Sequence, residues 1–263
     1  MDWSGTVWVI TGASSGLGRR TATDVAAAGA QVCVAARREE RLRALVDELP
    51  GSGHSYHVTD VSKRDEVAAL AKHVEATHGR CSVLLNNAGI PGPRGFWGPD
   101  AIEDLEALMA TNFFGAINCI GEFMPLLERS APANIVNVTS VAGRIATPGM
   151  PAYAASKFAL VGWTESVAAE FARKKIYVSS VEPGFIPTEG FPQTEMTGDP
   201  MMRRLLGTEA QVSEAIQDAV KHRKVQRVVP RFYYLAQVPE VTAPRLFRSV
   251  MTKLAGVRES RGR

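Results

Sequence analysis

The sequence predicts an α/β domain built on a doubly wound parallel sheet, and three observations carry that prediction. Short β-branched apolar runs alternate with longer helical patterns through most of the 263 residues. The runs are apolar throughout, as strands buried on both faces must be. A glycine-rich stretch, Gly12 to Gly18, joins the first run directly to the first helical pattern.

The elements follow in order. Thr6–Ile10 is a brief apolar strand, and Gly16–Ala28 a helix ended by Gly29. Gln31–Ala35 is the second strand; Glu39–Leu49 is a charged amphipathic helix closed by Pro50 and Gly51. Strands over Ser55–Val58 and Ser82–Leu85 flank a helix over Lys63–Thr77. Ala101–Gly115 reads as helix, Ile135–Val138 as strand, Tyr153–Phe171 as a long helix and Tyr177–Val181 as strand. A helix over Glu209–His222 and a strand over Arg227–Val229 complete about seven strands flanked by helices on both faces. Phe185–Gly207 has no clean period, and residues beyond Pro230 form a tail. No linker or repeat divides the chain, so the expected organisation is one domain over residues 1–230 with a lid at 185–207, then a tail over 231–263.

Bulk properties exclude several classes. Hydrophobic content of 45% and 22% charged residues are ordinary globular values. A net charge of +3 does not point to a nucleic-acid partner. Cys33, Cys81 and Cys119 are odd in number and set in apolar runs, as buried reduced thiols of a cytoplasmic protein would be. The first strand begins within a few residues of Met1 and no apolar stretch is long enough to span a membrane, so a soluble protein is expected. No cluster of residues has metal-ligand spacing, and His54 and His57 read as ordinary sheet residues.

Two local patterns carry chemistry. In Gly12-Ala13-Ser14-Ser15-Gly16-Leu17-Gly18 the glycines permit a tight turn and close backbone approach. The helix start that follows offers free N–H groups and a positive dipole end, which together suit a pyrophosphate. The spacing is GxxxGxG, not GxGxxG. Tyr153 and Lys157 stand four apart, on one helix face, where an ammonium can lower a phenol's pKa from its usual ~10. Such a tyrosine becomes a usable acid or base. Exposed Tyr/Lys pairs occur on many helices, so this pair takes its meaning from its company.

That company is ordered: Thr11–Gly18, Asp60-Val61, Asn86-Asn87-Ala88-Gly89, Asn112, Ser140, Tyr153 with Lys157, and Pro183-Gly184. With these motifs the chain resembles a short-chain dehydrogenase/reductase of the compact, single-domain, Rossmann-like type, from residue 5 to about residue 230. The resemblance implies an oxidoreductase interconverting a small-molecule carbonyl and a secondary alcohol. Tyr153 would exchange a proton with the substrate oxygen, and Ser140 would hydrogen-bond that oxygen. Lys157 would lower the tyrosine pKa and bind the nicotinamide ribose, and Asn112 would support a water-linked relay through the lysine. Asp60 and Val61 would meet the adenine, or Asp60 would cap the next helix. Asn87, Ala88 and Gly89 would line the adenosine ribose. Pro183, Gly184, the Ile186 backbone and Thr188 would form the nicotinamide-side turn; Pro187 departs from the pattern by removing a donor.

The run Val34-Ala35-Ala36-Arg37-Arg38 bears on the cofactor. Folds that prefer NAD(H) usually end the second strand with an acid on the ribose hydroxyls. Ala36 stands there, and Arg37, assisted by Arg38, would clasp a 2′-phosphate, so NADP(H) is favoured over NAD(H). Met196, Met201, Met202, Phe185, Phe96, Trp97 and Met150 suggest an apolar substrate site for a lipophilic ketone or alcohol, or simply a packed lid. A non-enzymatic dinucleotide-binding sensor and an NAD-dependent hydroxysteroid-type dehydrogenase are the rival readings. The tail is a basic amphipathic helix, expected on its own domain or a neighbouring subunit of a homodimer or homotetramer, with peripheral contact to an anionic membrane less favoured.

Overall fold

The computed structural model describes residues 1–92, 98–146, 148–191 and 203–261. Seven strands form one sheet in the order β3-β2-β1-β4-β5-β6-β7: β1 Val7–Thr11, β2 Gln31–Ala36, β3 Ser55–Val58, β4 Val83–Asn86, β5 Ala133–Val138, β6 Ile176–Pro183 and β7 Gln226–Val229. Every pairing is parallel. The direction of winding reverses between β1 and β4, and a crevice opens beyond the strand C-termini there.

Alternate residues of each strand feed two cores. Trp8, Ile10, Val34, Leu85 and Val136 pack under α1 (Gly16–Ala27), α2 (Glu39–Glu48) and α7 (Glu209–His222). Val9, Cys33, Leu84 and Ile135 face α3 (Arg64–His78) and α5 (Gly115–Arg129), with α6 (Pro151–Ala172) alongside. All three cysteines are unpaired and buried on this second face, and burial pushes the Cys33 thiol up to about 11 and Cys119 to about 12. As reduced apolar residues they match the expectation.

Two elements differ from expectation. The helix expected to stop at Gly115 instead runs on: α4 (Ala101–Leu108) passes through a π-helical turn, Met109–Phe114, into α5. Gly115 is no terminator; a Cβ there would lie 2.6 Å from Val61 Cγ2, so the glycine lets α5 pack closely. Pro125 sits inside α5. The tail is two helices rather than one, α8 (Tyr233–Thr242) and α9 (Pro244–Arg261), broken where Pro244 follows Ala243. Among the described residues no helix is long and apolar enough to cross a membrane.

Candidate active site

The crevice is a cleft of about 390 Å³ at the C-terminal ends of β1, β2, β4, β5 and β6. Its first wall is the turn after β1. Gly12 has φ +66° and would place a Cβ 2.7 Å from Ala88 Cα, so only glycine fits. Gly16 has φ +56°, and Gly18 would clash with Asn87 Nδ2 at 2.5 Å; Gly18 therefore serves packing and does not line the cleft. Thr11 Oγ1 accepts from the backbone N–H of Asn87 and Ala88, both at 3.1 Å, and Asn87 Nδ2 donates to Thr11 O and Gly12 O. The Asn87–Gly89 segment thus locks the glycine turn in place. No acidic residue lies in the first turn of α1 and Ser15 makes no side-chain cap, which leaves its N–H groups and dipole free for an anion. Ser14, Ser15 and Leu17 complete this wall.

At the β2 end of the cleft both arginines line the wall, by different contacts. Arg38, not Arg37, reaches the turn: its Nε and Nη2 donate to Ser14 Oγ at 3.2 and 2.8 Å, and Nη2 to Ser15 Oγ at 3.0 Å. Arg37 lines the cleft on the side of Asp60. Asp60 Oδ1 accepts from Ser62 N and Oγ, closing its own turn, while the N-cap of α3 is Lys63. Although burial opposes it, these bonds and the Arg37 and Lys63 charges hold the Asp60 carboxyl below its ordinary range. Val61 lines the cleft beside it.

The other end holds Ser140, Tyr153 and Lys157. Ser140 Oγ accepts from Ala142 N at 3.0 Å and donates to Pro183 O at 3.4 Å, which fixes the hydroxyl at the head of a short 3₁₀ turn. Tyr153 faces the Ser140 side, and the Phe191 ring lies 5.7 Å from its own. Lys157 is buried, donates to Val138 O at 2.9 Å and stands 5.7 Å from the Tyr153 ring centroid. The expected lowering of the phenol pKa is absent: burial pushes Tyr153 up to about 12, opposed by the Ser140 hydroxyl, and pulls Lys157 down to about 8. At this separation the loss of water around both groups outweighs their mutual effect.

Asn112 sits in the π turn, buried behind the cleft and not lining it. Its Oδ1 accepts from Ile90 N at 2.8 Å, and its Nδ2 donates to Ile90 O and Ser156 Oγ, each at 3.1 Å. Its side chain pins the loop after β4. Gly89 lies between Asn112 Oδ1 and Lys157 Nζ, 3.2 and 3.7 Å from where its Cβ would be.

Pro183, Gly184, Ile186 and Thr188 line the cleft as expected. Of the expected substrate residues, Phe185 instead packs outside it with Tyr233, ring centroids 6.1 Å apart, and Met150 precedes α6 without lining the cleft. Phe96, Trp97, Met196, Met201 and Met202 lie outside the described residues. The cleft also takes Thr59, Ile90, Pro91, Thr111, Val138, Thr139 and Phe191, which no motif marked. Behind it, the wholly buried Glu182 accepts from Arg144 Nε (3.0 Å) and Nη2 (2.9 Å), Gln226 and Gln237, tying the 3₁₀ turn to β6, β7 and α8.

A doubly wound sheet with a glycine-walled cleft and a serine–tyrosine–lysine end defines a dinucleotide-dependent enzyme architecture. Comparison with known proteins agrees. The model of the family described as short chain dehydrogenase matches residues 6–197. A farnesol dehydrogenase of Aedes aegypti is 37% identical over 222 residues, 81% of this chain and 89% of its own. A 3-oxoacyl-[acyl-carrier-protein] reductase of Thermotoga maritima is 38% identical over 204 residues, 74% of this chain and 78% of its own. The crystal structure of a short-chain dehydrogenase/reductase from Burkholderia phymatum in complex with NAD superposes with a TM-score of 0.82 at 27% identity, covering 94% of this chain and 96% of that one. The chain belongs to the short-chain dehydrogenase/reductase family and is an oxidoreductase whose fold binds NAD(P).

Proposed function

We propose that the protein reduces a lipophilic ketone to a secondary alcohol, or runs the reverse, using NADP(H). One observation carries the chemistry: Ser140, the Tyr153 phenol and the buried Lys157 ammonium line one end of the same cleft. A bound nicotinamide cofactor would supply the hydride. Ser140 holds and orients the substrate oxygen, and Tyr153 gives it a proton on reduction or takes one on oxidation. Lys157 holds a positive charge beneath the tyrosine and offers hydrogen bonds to ribose hydroxyls. Asn112 keeps Ile90 and Gly89 in register beside Lys157. The glycine turn, with Ser14 and Ser15, would take the pyrophosphate, and Asp60 with Val61 the adenine edge.

Arg38 supports NADP(H) because its guanidinium is already fixed at the turn where an adenosine 2′-phosphate would arrive. NAD(H) is the second reading, favoured by the NAD in the similar Burkholderia phymatum structure. The lipophilic substrate is supported by the apolar Ile90, Pro91, Ile186 and Phe191 in the wall. Farnesol and 3-oxoacyl groups, named for the two relatives, carry apolar chains too. A homodimer or homotetramer in the cytoplasm is part of this proposal.

A screen of carbonyls and alcohols, followed by NADPH absorbance, tests the reading; preference for small polar sugars over long-chain carbonyls would refute the substrate class. Tyr153→Phe is expected to lower turnover by about 10²–10⁴-fold while NADPH still binds. Unchanged turnover would remove Tyr153 from the mechanism.

A further inference from the structure

Beside the cleft, between the lining residues Thr188 and Gly190, stands an acid that no motif marked, Glu189. Thr188 and Phe191 exchange backbone hydrogen bonds (Thr188 N to Phe191 O 3.0 Å, Phe191 N to Thr188 O 3.1 Å), so Glu189 and Gly190 form the tip of a tight turn. This turn crosses the cleft mouth. Thr188 Cβ stands 3.3 Å from where a Cβ of Gly16 would be, and Phe191 packs on Tyr153. At its tip Glu189 Oε1 accepts from Arg38 Nη1 at 3.2 Å, and both its oxygens accept from Arg41 Nη1 at 2.5 and 2.8 Å.

We propose that Glu189 is a cofactor-selecting residue, a carboxylate that competes with the adenosine 2′-phosphate for Arg38 and so weakens discrimination in favour of NADP(H). The inference rests on the reading of Arg38 as the 2′-phosphate clasp. Every nitrogen of that guanidinium has a partner: Nε and Nη2 on the serine hydroxyls, Nη1 on Glu189. An arriving phosphate must displace one of them. The serines are neutral and belong to the turn that holds the pyrophosphate, whereas the glutamate is a like charge beside the incoming dianion. Arg41, held by two contacts, keeps Glu189 when Arg38 lets go. Arg41 and then Arg38 hold the Glu189 carboxyl below its ordinary range, so it stays anionic at neutral pH. The carboxylate absent from the end of β2, where Ala36 stands, is thereby delivered from the opposite rim of the cleft.

The test is the ratio Kd(NADH)/Kd(NADPH), from nicotinamide fluorescence, in the wild type, Glu189→Gln, Arg38→Gln and the double variant. Glu189 is exposed, so its substitution leaves folding intact, which a thermal melt checks. Glu189→Gln is expected to raise the ratio about fivefold, the scale of one exposed ion pair, and to leave it unchanged in the Arg38→Gln background. A rise below about twofold, or a fall, overturns the proposal. If Arg38→Gln lowers the ratio and Glu189→Gln does not move it, Glu189 alone is wrong. If Arg38→Gln leaves the ratio unchanged, the clasp fails and the competition with it.

Discussion

At the scale of single residues, burial decides which proton forms the site holds. Tyr153, pushed up to about 12, is a neutral phenol across the working range, ready to donate. Lys157, pulled down to about 8, loses its charge within that range. Its charged form is the one that supports an oxyanion above it, so carbonyl reduction is expected to fall as pH rises through about 8, with one limb. The measurement is kcat/KM for reduction against pH, and a profile flat from pH 7 to about 9 would oppose it. Lys157→Met should lower activity at neutral pH and erase the limb. The residue types here were legible in the sequence because Tyr153, Lys157 and Ser140 fall in ordered motifs. The direction of the phenol shift was not, since four-residue spacing sets the helix face and leaves the 5.7 Å geometry and the loss of water unspecified. That Arg38 and not Arg37 contacts the serines of the turn has a similar origin: neighbours at a strand end point to opposite sides, and the chain order alone does not say which side faces the turn.

At the scale of elements, close approach accounts for what the sequence pattern hid. Glycine read as punctuation is right at Gly29, which follows α1 with φ of +93°. It is wrong at Gly115, whose absent side chain admits Val61. Gly184 is another such case: a Cβ there would clash with the Tyr233 ring, so the turn after β6 and α8 share one contact. Gly184→Ala is expected to destabilise the fold by about 1–3 kcal/mol, the scale of overpacking, read as a lower urea midpoint. An unchanged midpoint would show that α8 moves away without cost. Phe185 follows from the same contact, since the turn presents it to Tyr233 and the tail and away from the cleft. No periodicity in 185–207 could signal this, because its partner lies about fifty residues further on.

At the scale of the molecule, a doubly wound parallel sheet of about seven strands was legible because most strands are apolar runs separated by helices, a pattern with few alternative topologies. The polar tie across the C-terminal half was not legible. Glu182, wholly buried, gathers Arg144, Gln226 and Gln237 from three elements distant in sequence. Glu182→Ala leaves Arg144 with Glu165 as its remaining carboxylate and leaves the Ser180, Gln226 and Gln237 donors without their shared acceptor. The expected cost is about 3 kcal/mol, or roughly 6–12 °C in Tm, and a shift under about 2 °C would refute the role. The tail shares in this tie through Gln237 and Tyr233, yet leaves Tyr234, Leu235, Val238 and Leu246 exposed.

The π turn at Met109–Phe114 has a consequence for how this chain tolerates length changes. A π turn is an α-helix carrying one surplus residue per turn. Deleting one residue there would let α4 and α5 merge into a regular helix. The flanking helices would keep nearly their present register, because the wide turn had absorbed the extra residue, but the bulge that carries Asn112 would close. Asn112 could no longer reach both the N–H and the carbonyl of Ile90, and the loop after β4 would lose its anchor. A single-codon deletion at the surplus residue would therefore perfect this long helix and withdraw the anchor from the loop that borders the cleft.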